Sequence, residues 1–135
     1  MQSVVEIDPG NGADDQTEMV NAGIKAYTRI CDIWQLKSST AAGLLDVETR
    51  TWNRMKGGTW SGKLTQDQVL RLSAFVGLYK GLHLYFSDVL ADRWPTLANS
   101  GPPFAGLTPI QYISRGGLPA LLATRNYVDA IRGGL

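Results

Sequence analysis

Four polar side chains at helical spacing, Thr49, Arg50, Asn53 and Arg54, carry the most specific chemistry in this chain. At about 100° per residue they share one face of a helix, while Trp52 and Met55 point the opposite way. Arginine can donate two hydrogen bonds to guanine O6 and N7, and asparagine pairs with adenine N6 and N7, so this face suits readout of a DNA major groove. Thr40, Lys56 and Lys63 lie close in sequence and suit phosphate oxygens, contacts that position a protein without specifying a base.

Elsewhere the chemistry is thinner. The chain has one cysteine, Cys31, and one histidine, His83. Together they are too few for a zinc site, and no intrachain disulfide can form. Cys31 sits in an apolar helical pattern and reads as a buried structural thiol; His83, between Leu82 and Leu84, reads as a partly exposed structural histidine. Gly101 and Gly106 have the spacing of a phosphate-binding loop, but Leu107-Thr108 stands where that loop needs Lys followed by Ser or Thr. No paired carboxylates or nucleophile triad accompany them, so the expectation is no catalytic residue, no metal and no cofactor.

The polar face needs a scaffold. Ser38 to Gly57 fits the helix-turn-helix frame, in which the fourth, eighth, tenth, fifteenth and eighteenth positions lock two short helices together; here they are Ala41, Leu45, Val47, Trp52 and Met55. Ala42 supplies the small side chain needed where the helices cross. The turn position that usually takes glycine is Asp46, a residue that tolerates the left-handed conformation better than most.

Apolar residues at three- and four-residue spacing (Met19, Val20, Ile24, Tyr27, Ile30, Ile33, Trp34) predict a first helix over 17–36. Thr65-Gln66-Asp67-Gln68 has capping-box form and opens a long helix marked by Val69, Leu72, Phe75, Val76, Tyr79, Leu82, Phe86 and Val89. Gly77 and Gly81 inside it each cost about 1 kcal/mol relative to Ala, which points to a close helix crossing. Trp94-Pro95 closes this region, 99–106 is a turn-rich loop, Thr108-Pro109 starts a short helix ending at Gly116-Gly117, and Leu118-Pro119 opens the last helix, through about Arg132.

With 135 residues, 44% of them hydrophobic and 19% charged, the chain is long and apolar enough for one compact domain or two small ones sharing a core, which excludes wholesale disorder. No apolar run reaches membrane-spanning length and the N-terminus lacks a signal-peptide pattern, so a cytoplasmic location, nucleoid-associated when bound to DNA, is expected, with no membrane partner. The net charge of +1 hides an asymmetry: residues 1–20 hold five acids and no Lys or Arg, whereas residues 21–63 hold seven bases against three acids. The expected organisation is a mobile acidic tail over 1–15, a DNA-binding region over 16–64, a connecting helix over 65–98 and a C-terminal unit over 99–135. The fold class is all-α, since no alternating strand pattern occurs.

The last third carries a further signal. Phe104-Ala105-Gly106-Leu107-Thr108-Pro109, Ser114-Arg115-Gly116-Gly117-Leu118-Pro119-Ala120-Leu121-Leu122, Arg125-Asn126-Tyr127-Val128-Asp129 and Arg132-Gly133-Gly134 resemble the toxin-binding C-terminal domain of Xre/MbcA/ParS-type antitoxins. The stretches Leu44-Leu45-Asp46-Val47, Thr51 to Gly57 and Gln68 to Phe86 are similar to that family's Xre/Cro-like helix-turn-helix and connecting helix, so the resemblance covers 17–135.

The resemblance implies an antitoxin, itself no enzyme, that blocks the active site of a RES-domain, NAD-degrading toxin. It also implies that the protein represses its own operon by binding operator DNA as a homodimer. The toxin-facing candidates it implies are Gly116, Gly117, Leu118, Pro119, Arg125, Tyr127, Arg132, Gly133, Gly134 and Leu135. Arginines would pair with toxin carboxylates, and a terminal carboxylate would imitate a substrate phosphate. Two alternatives stay open: Leu118, Leu121, Leu122 and Val128 also suit a core and the glycines also suit helix ends, and the whole chain also suits a dimeric helix-turn-helix regulator without a toxin partner.

Overall fold

The computed structural model describes residues 9–133, apart from the side chains of 9–14 and 132. Six α-helices and one 3-10 turn follow in order: α1 (Pro9–Ile33), α2 (Ser38–Leu45), α3 (Thr49–Gly57), α4 (Gln66–Tyr85), α5 (Asp88–Arg93), the turn Trp94–Thr96, and α6 (Pro109–Arg132). Among the described residues there is no strand, so the fold is all-α. None of these helices is long and apolar enough to cross a membrane.

Local signals set most helix ends. Thr65 and Thr108 each accept a hydrogen bond from the amide of the residue three positions on, Gln68 and Gln111, while those glutamines accept from the threonine amides, so both α4 and α6 start with a full capping box. Gly58 closes α3 in the left-handed conformation. Within α6 the helical path breaks at Gly117, with φ 67° and ψ −149°, and Pro119 lies just past the break. A positive φ with extended ψ is a glycine conformation, and proline suits the first turn after it.

The structure corrects the sequence reading at several points. Helical structure begins at Pro9, ahead of the first apolar repeat, so 9–15 belongs to α1 and not to a tail; residues 1–8 of that expected tail lie outside the described residues. Met19 and Ile33 fall outside the buried stripe of α1, at 73% and 39% exposure. The expected long helix is two helices: Phe86 is extended (φ −102°, ψ 161°) and Ser87 caps a new start, its hydroxyl accepting from the Leu90 amide. Val89 therefore lies on α5, exposed, and so is Leu122 on α6.

α4 is the hub, packed against α6 on one side and α1 on the other. Between α1 and α4 the core is aromatic: Tyr27 meets Trp52 edge-on at 5.3 Å and Phe75 at 5.2 Å. A second aromatic group joins Trp94, Phe104, Tyr112 and Tyr127, with Phe104, from the 99–106 loop, fully buried. Gly81 faces α6, but a Cβ there would lie 3.5 Å from Val128, an ordinary van der Waals distance, so the crossing does not require glycine at this position.

Candidate functional site

α2 and α3 are joined by a short turn whose first residue, Asp46, is left-handed (φ 62°, ψ 44°). The Val47 amide returns to the Ala42 carbonyl at 3.0 Å and the Asp46 amide to Gly43 at 3.1 Å, which closes the end of α2 and sends the chain into α3. Ala41, Ala42, Leu45, Trp52 and Met55 are buried, and Val47 packs partly against them. Tyr27 anchors this pair of helices to α1: its hydroxyl donates to the Ala41 carbonyl at 2.7 Å, in the interior.

The burial of Trp52 and Met55 turns the opposite face of α3 outward. Thr49, Arg50, Asn53 and Arg54 are all exposed on that face, and Lys63 is exposed on the following segment. Lys56 is exposed but reaches Ser38 at the start of α2, Nζ to Oγ 3.4 Å, and Thr40 is half-buried. Four of the seven candidate DNA contacts therefore share one helix face. The other three lie on α2, in the last turn of α3 and on the segment that follows it.

Two polar residues of α4, not singled out as contacts from sequence, hold the α2–α3 unit in place. Gln68 donates from Nε2 to the Asp46 carbonyl at 2.8 Å, and Arg71 donates from Nη1 to the Leu44 carbonyl at 3.2 Å, so α4 caps the carbonyl end of α2. Arg71 is itself fixed by Asp67, Nε to Oδ1 2.6 Å, with only 13% of its side chain exposed. The guanidinium also borders the α6 break, where a Cβ at Gly117 would come within 3.5 Å of it. A basic residue one turn after a capping box was the available signal, but its backbone acceptor, Leu44, lies 27 residues earlier in the chain.

The chain-end candidates divide. Gly116 and Pro119 are exposed and Gly117 and Leu118 half-buried, so the break in α6 is accessible. Tyr127 is a packing residue, stacked on Trp94 at 6.2 Å and edge-on to Phe104 at 5.2 Å. Arg125 crosses over α4, where a Cβ at Gly77 would overlap its guanidinium, and its Nε lies 3.9 Å from Asp129. Gly133 is exposed at the end of α6; the Arg132 side chain, Gly134 and Leu135 lie outside the described residues.

The remaining reactive groups are occupied. Burial pushes the Cys31 thiol up to about 12, so it stays protonated at neutral pH. His83 is clamped between two carboxylates of α5, Nδ1 to Asp88 at 2.9 Å and Nε2 to Asp92 at 2.7 Å, with its ring on Tyr79. Partial burial lowers its pKa, but the two aspartates outweigh this and hold the imidazole above its ordinary value.

No family model and no solved structure matches this chain. It is 30% identical over 130 residues to the uncharacterized protein y4oB of Sinorhizobium fredii, an alignment that covers 93% of this chain and 95% of that protein. A match over more than nine-tenths of both chains places this all-α protein in one family with y4oB.

Proposed function

We propose that this protein is an antitoxin of the RES–Xre type. In this reading α2 and α3 form an Xre/Cro-like helix-turn-helix that binds operator DNA and represses the shared operon, α4 is the connecting helix, and the C-terminal unit blocks the active site of a RES-domain, NAD-degrading toxin. The protein acts as a homodimer in the cytoplasm, without cofactor or metal and with no enzymatic activity of its own.

One observation carries the DNA half: the wholly polar outward face of α3, with Thr49, Arg50, Asn53 and Arg54 exposed behind a turn whose left-handed residue is Asp46. Arg50, Asn53 and Arg54 suit base edges, and Thr40, Lys56 and Lys63 suit the flanking phosphates. The toxin half is supported by the accessible break Gly116-Gly117-Leu118-Pro119. A regulator without a toxin partner is the second reading. It is favoured by the engagement of Arg125 and Tyr127 within the fold.

Co-expression with the RES-domain protein encoded beside it, followed by capture of one partner and assay of NAD loss by the other, tests the first reading. A stable complex with NAD loss suppressed is expected. Failure to bind, together with salt-dependent binding to its own promoter, would establish the second.

A further inference from the structure

His83 sits in the last turn of α4, and each of its ring nitrogens meets a different carboxylate of α5: Nδ1 lies 2.9 Å from Asp88 and Nε2 lies 2.7 Å from Asp92. An ionised carboxylate only accepts, so two such contacts on one ring require an N–H at both nitrogens, which only the imidazolium has. Partial burial of the ring works against that charge, but the two aspartates favour it and prevail. Tyr79 of α4 stacks on the ring at 4.4 Å, and Arg29 of α1 acts on the Tyr79 phenol. Among the described residues, Asp88 and Asp92 are the charged groups that act on the imidazole itself.

Little else holds α5. It is six residues long, far shorter than a helix that persists alone, and only Ala91 among them is fully buried, with Val89 and Leu90 exposed. Its cap is long, 3.5 Å from the Ser87 hydroxyl to the Leu90 amide. The segment nevertheless leads straight into Trp94, which packs against Phe104 at 5.7 Å and Tyr127 at 6.2 Å, so α5 is the joint between α4 and the C-terminal unit. A neutral imidazole has one N–H and one lone pair; it can donate to one carboxylate and must turn the lone pair toward the other. Asp92 makes the shorter contact and its side chain is 35% exposed, whereas that of Asp88 is 89% exposed and is readily taken up by water.

We propose that His83 is a proton-operated latch: as the imidazolium it fastens α5 to the end of α4 at Asp88 and Asp92, and on losing its proton it keeps Asp92, releases Asp88 and lets the first turn of α5 open. The latch is fully closed below the ordinary histidine value of 6.5 and opens as pH rises through the raised folded value. It lies outside α2 and α3 and outside the break in α6, so neither DNA nor a toxin takes part in this step.

Hydrogen exchange on the full chain tests it, followed residue by residue by NMR over a pH series and corrected for intrinsic amide rates, with the His83 ring proton on Cε1 reporting the midpoint. The Ala91 amide, bonded to the Ser87 carbonyl at 2.8 Å, and its neighbours in α5 should open about two- to fivefold more often above that midpoint than below it, the range that one exposed ion pair supports, while the α3 amides stay level. His83→Gln should give one raised, pH-independent level of opening in α5, and Asp88→Asn should lower the His83 midpoint and open the first turn even at low pH. His83 is partly exposed and Asp88 exposed, so an unchanged helical spectrum is expected for both variants. The latch would be overturned by α5 amides that exchange at one corrected rate on both sides of the midpoint or are unprotected below it, or by a pH step that survives His83→Gln. A midpoint at or below 6.5, or one left unmoved by Asp88→Asn, would overturn it equally.

Discussion

Replacing Tyr27 with Phe removes a single atom from the interior, the hydroxyl that donates to the Ala41 carbonyl at 2.7 Å. The ring is fully buried and would keep its packing against Trp52 and Phe75, so the cost is that of the hydroxyl's hydrogen bonds, the one to Ala41 and the weak one it shares with the Cys31 thiol. A net intramolecular hydrogen bond contributes about 0.5–1.5 kcal/mol, and a fully orphaned buried acceptor costs about 1–3 kcal/mol. Ala41 lies inside α2, where its carbonyl retains a helical partner, so the expected loss is about 1 kcal/mol. For a chain of 135 residues that corresponds to a fall in Tm of about 3–5 °C. Thermal and urea unfolding followed by circular dichroism measure the loss, and hydrogen exchange should show it concentrated in the amides of α2. An unchanged Tm would refute the claim that this hydroxyl ties α1 to α2, and a loss above about 3 kcal/mol would mean that the aromatic packing, not the hydroxyl, had been disturbed.

Three further outcomes follow from the same structure. Because the folded pKa of His83 is raised above its ordinary 6.5, its clamp between Asp88 and Asp92 contributes stability that is complete below that value and is lost as pH rises through the folded pKa; the urea midpoint should fall over that window in the wild type and stay flat there in His83→Gln. Asp46→Gly should stabilise the turn by about 0.5–1 kcal/mol and Asp46→Val should destabilise it by about 1–2 kcal/mol, because φ is 62° at that position, and unfolding midpoints that fail to separate in this order would refute the strain argument. On the proposed operator-binding reading, Arg50→Ala should cost about 1–3 kcal/mol and relax the preference at one base pair, while Lys63→Ala should weaken all sequences alike and reduce the salt slope by about 1, as gel-shift titrations at several salt concentrations would show.

The features legible in the sequence are those in which cause and effect lie within a few residues. Thr65 with Gln68, and Thr108 with Gln111, cap helices through atoms three positions away, Gly117 breaks α6 because only glycine accepts that φ and ψ readily, and Asp46 turns the chain where a left-handed residue is required. The buried faces of α2 and α3 follow from period alone, and with them the outward set Thr49, Arg50, Asn53 and Arg54. Even a local signal fails when two compete: the apolar repeat continues through Val89, but Ser87 offers a cap and the backbone takes it.

The long-range contacts were decided by tertiary structure. Nothing near Arg71 in sequence indicates that its partner is the Leu44 carbonyl, and nothing near Gly77 that the guanidinium of Arg125 will lie over it; the carboxylates that meet His83 are only five and nine residues on, but both ring nitrogens reach them only because the chain turns at Phe86 from α4 into α5. Each depends on how α4 is oriented against α2, α5 or α6, and that orientation is set by the collective packing of the core rather than by any one spacing. Periodicity tells which side of a helix is buried; it carries no record of which helix does the burying, because the hydrophobic effect has no direction and only the packed three-dimensional arrangement supplies one.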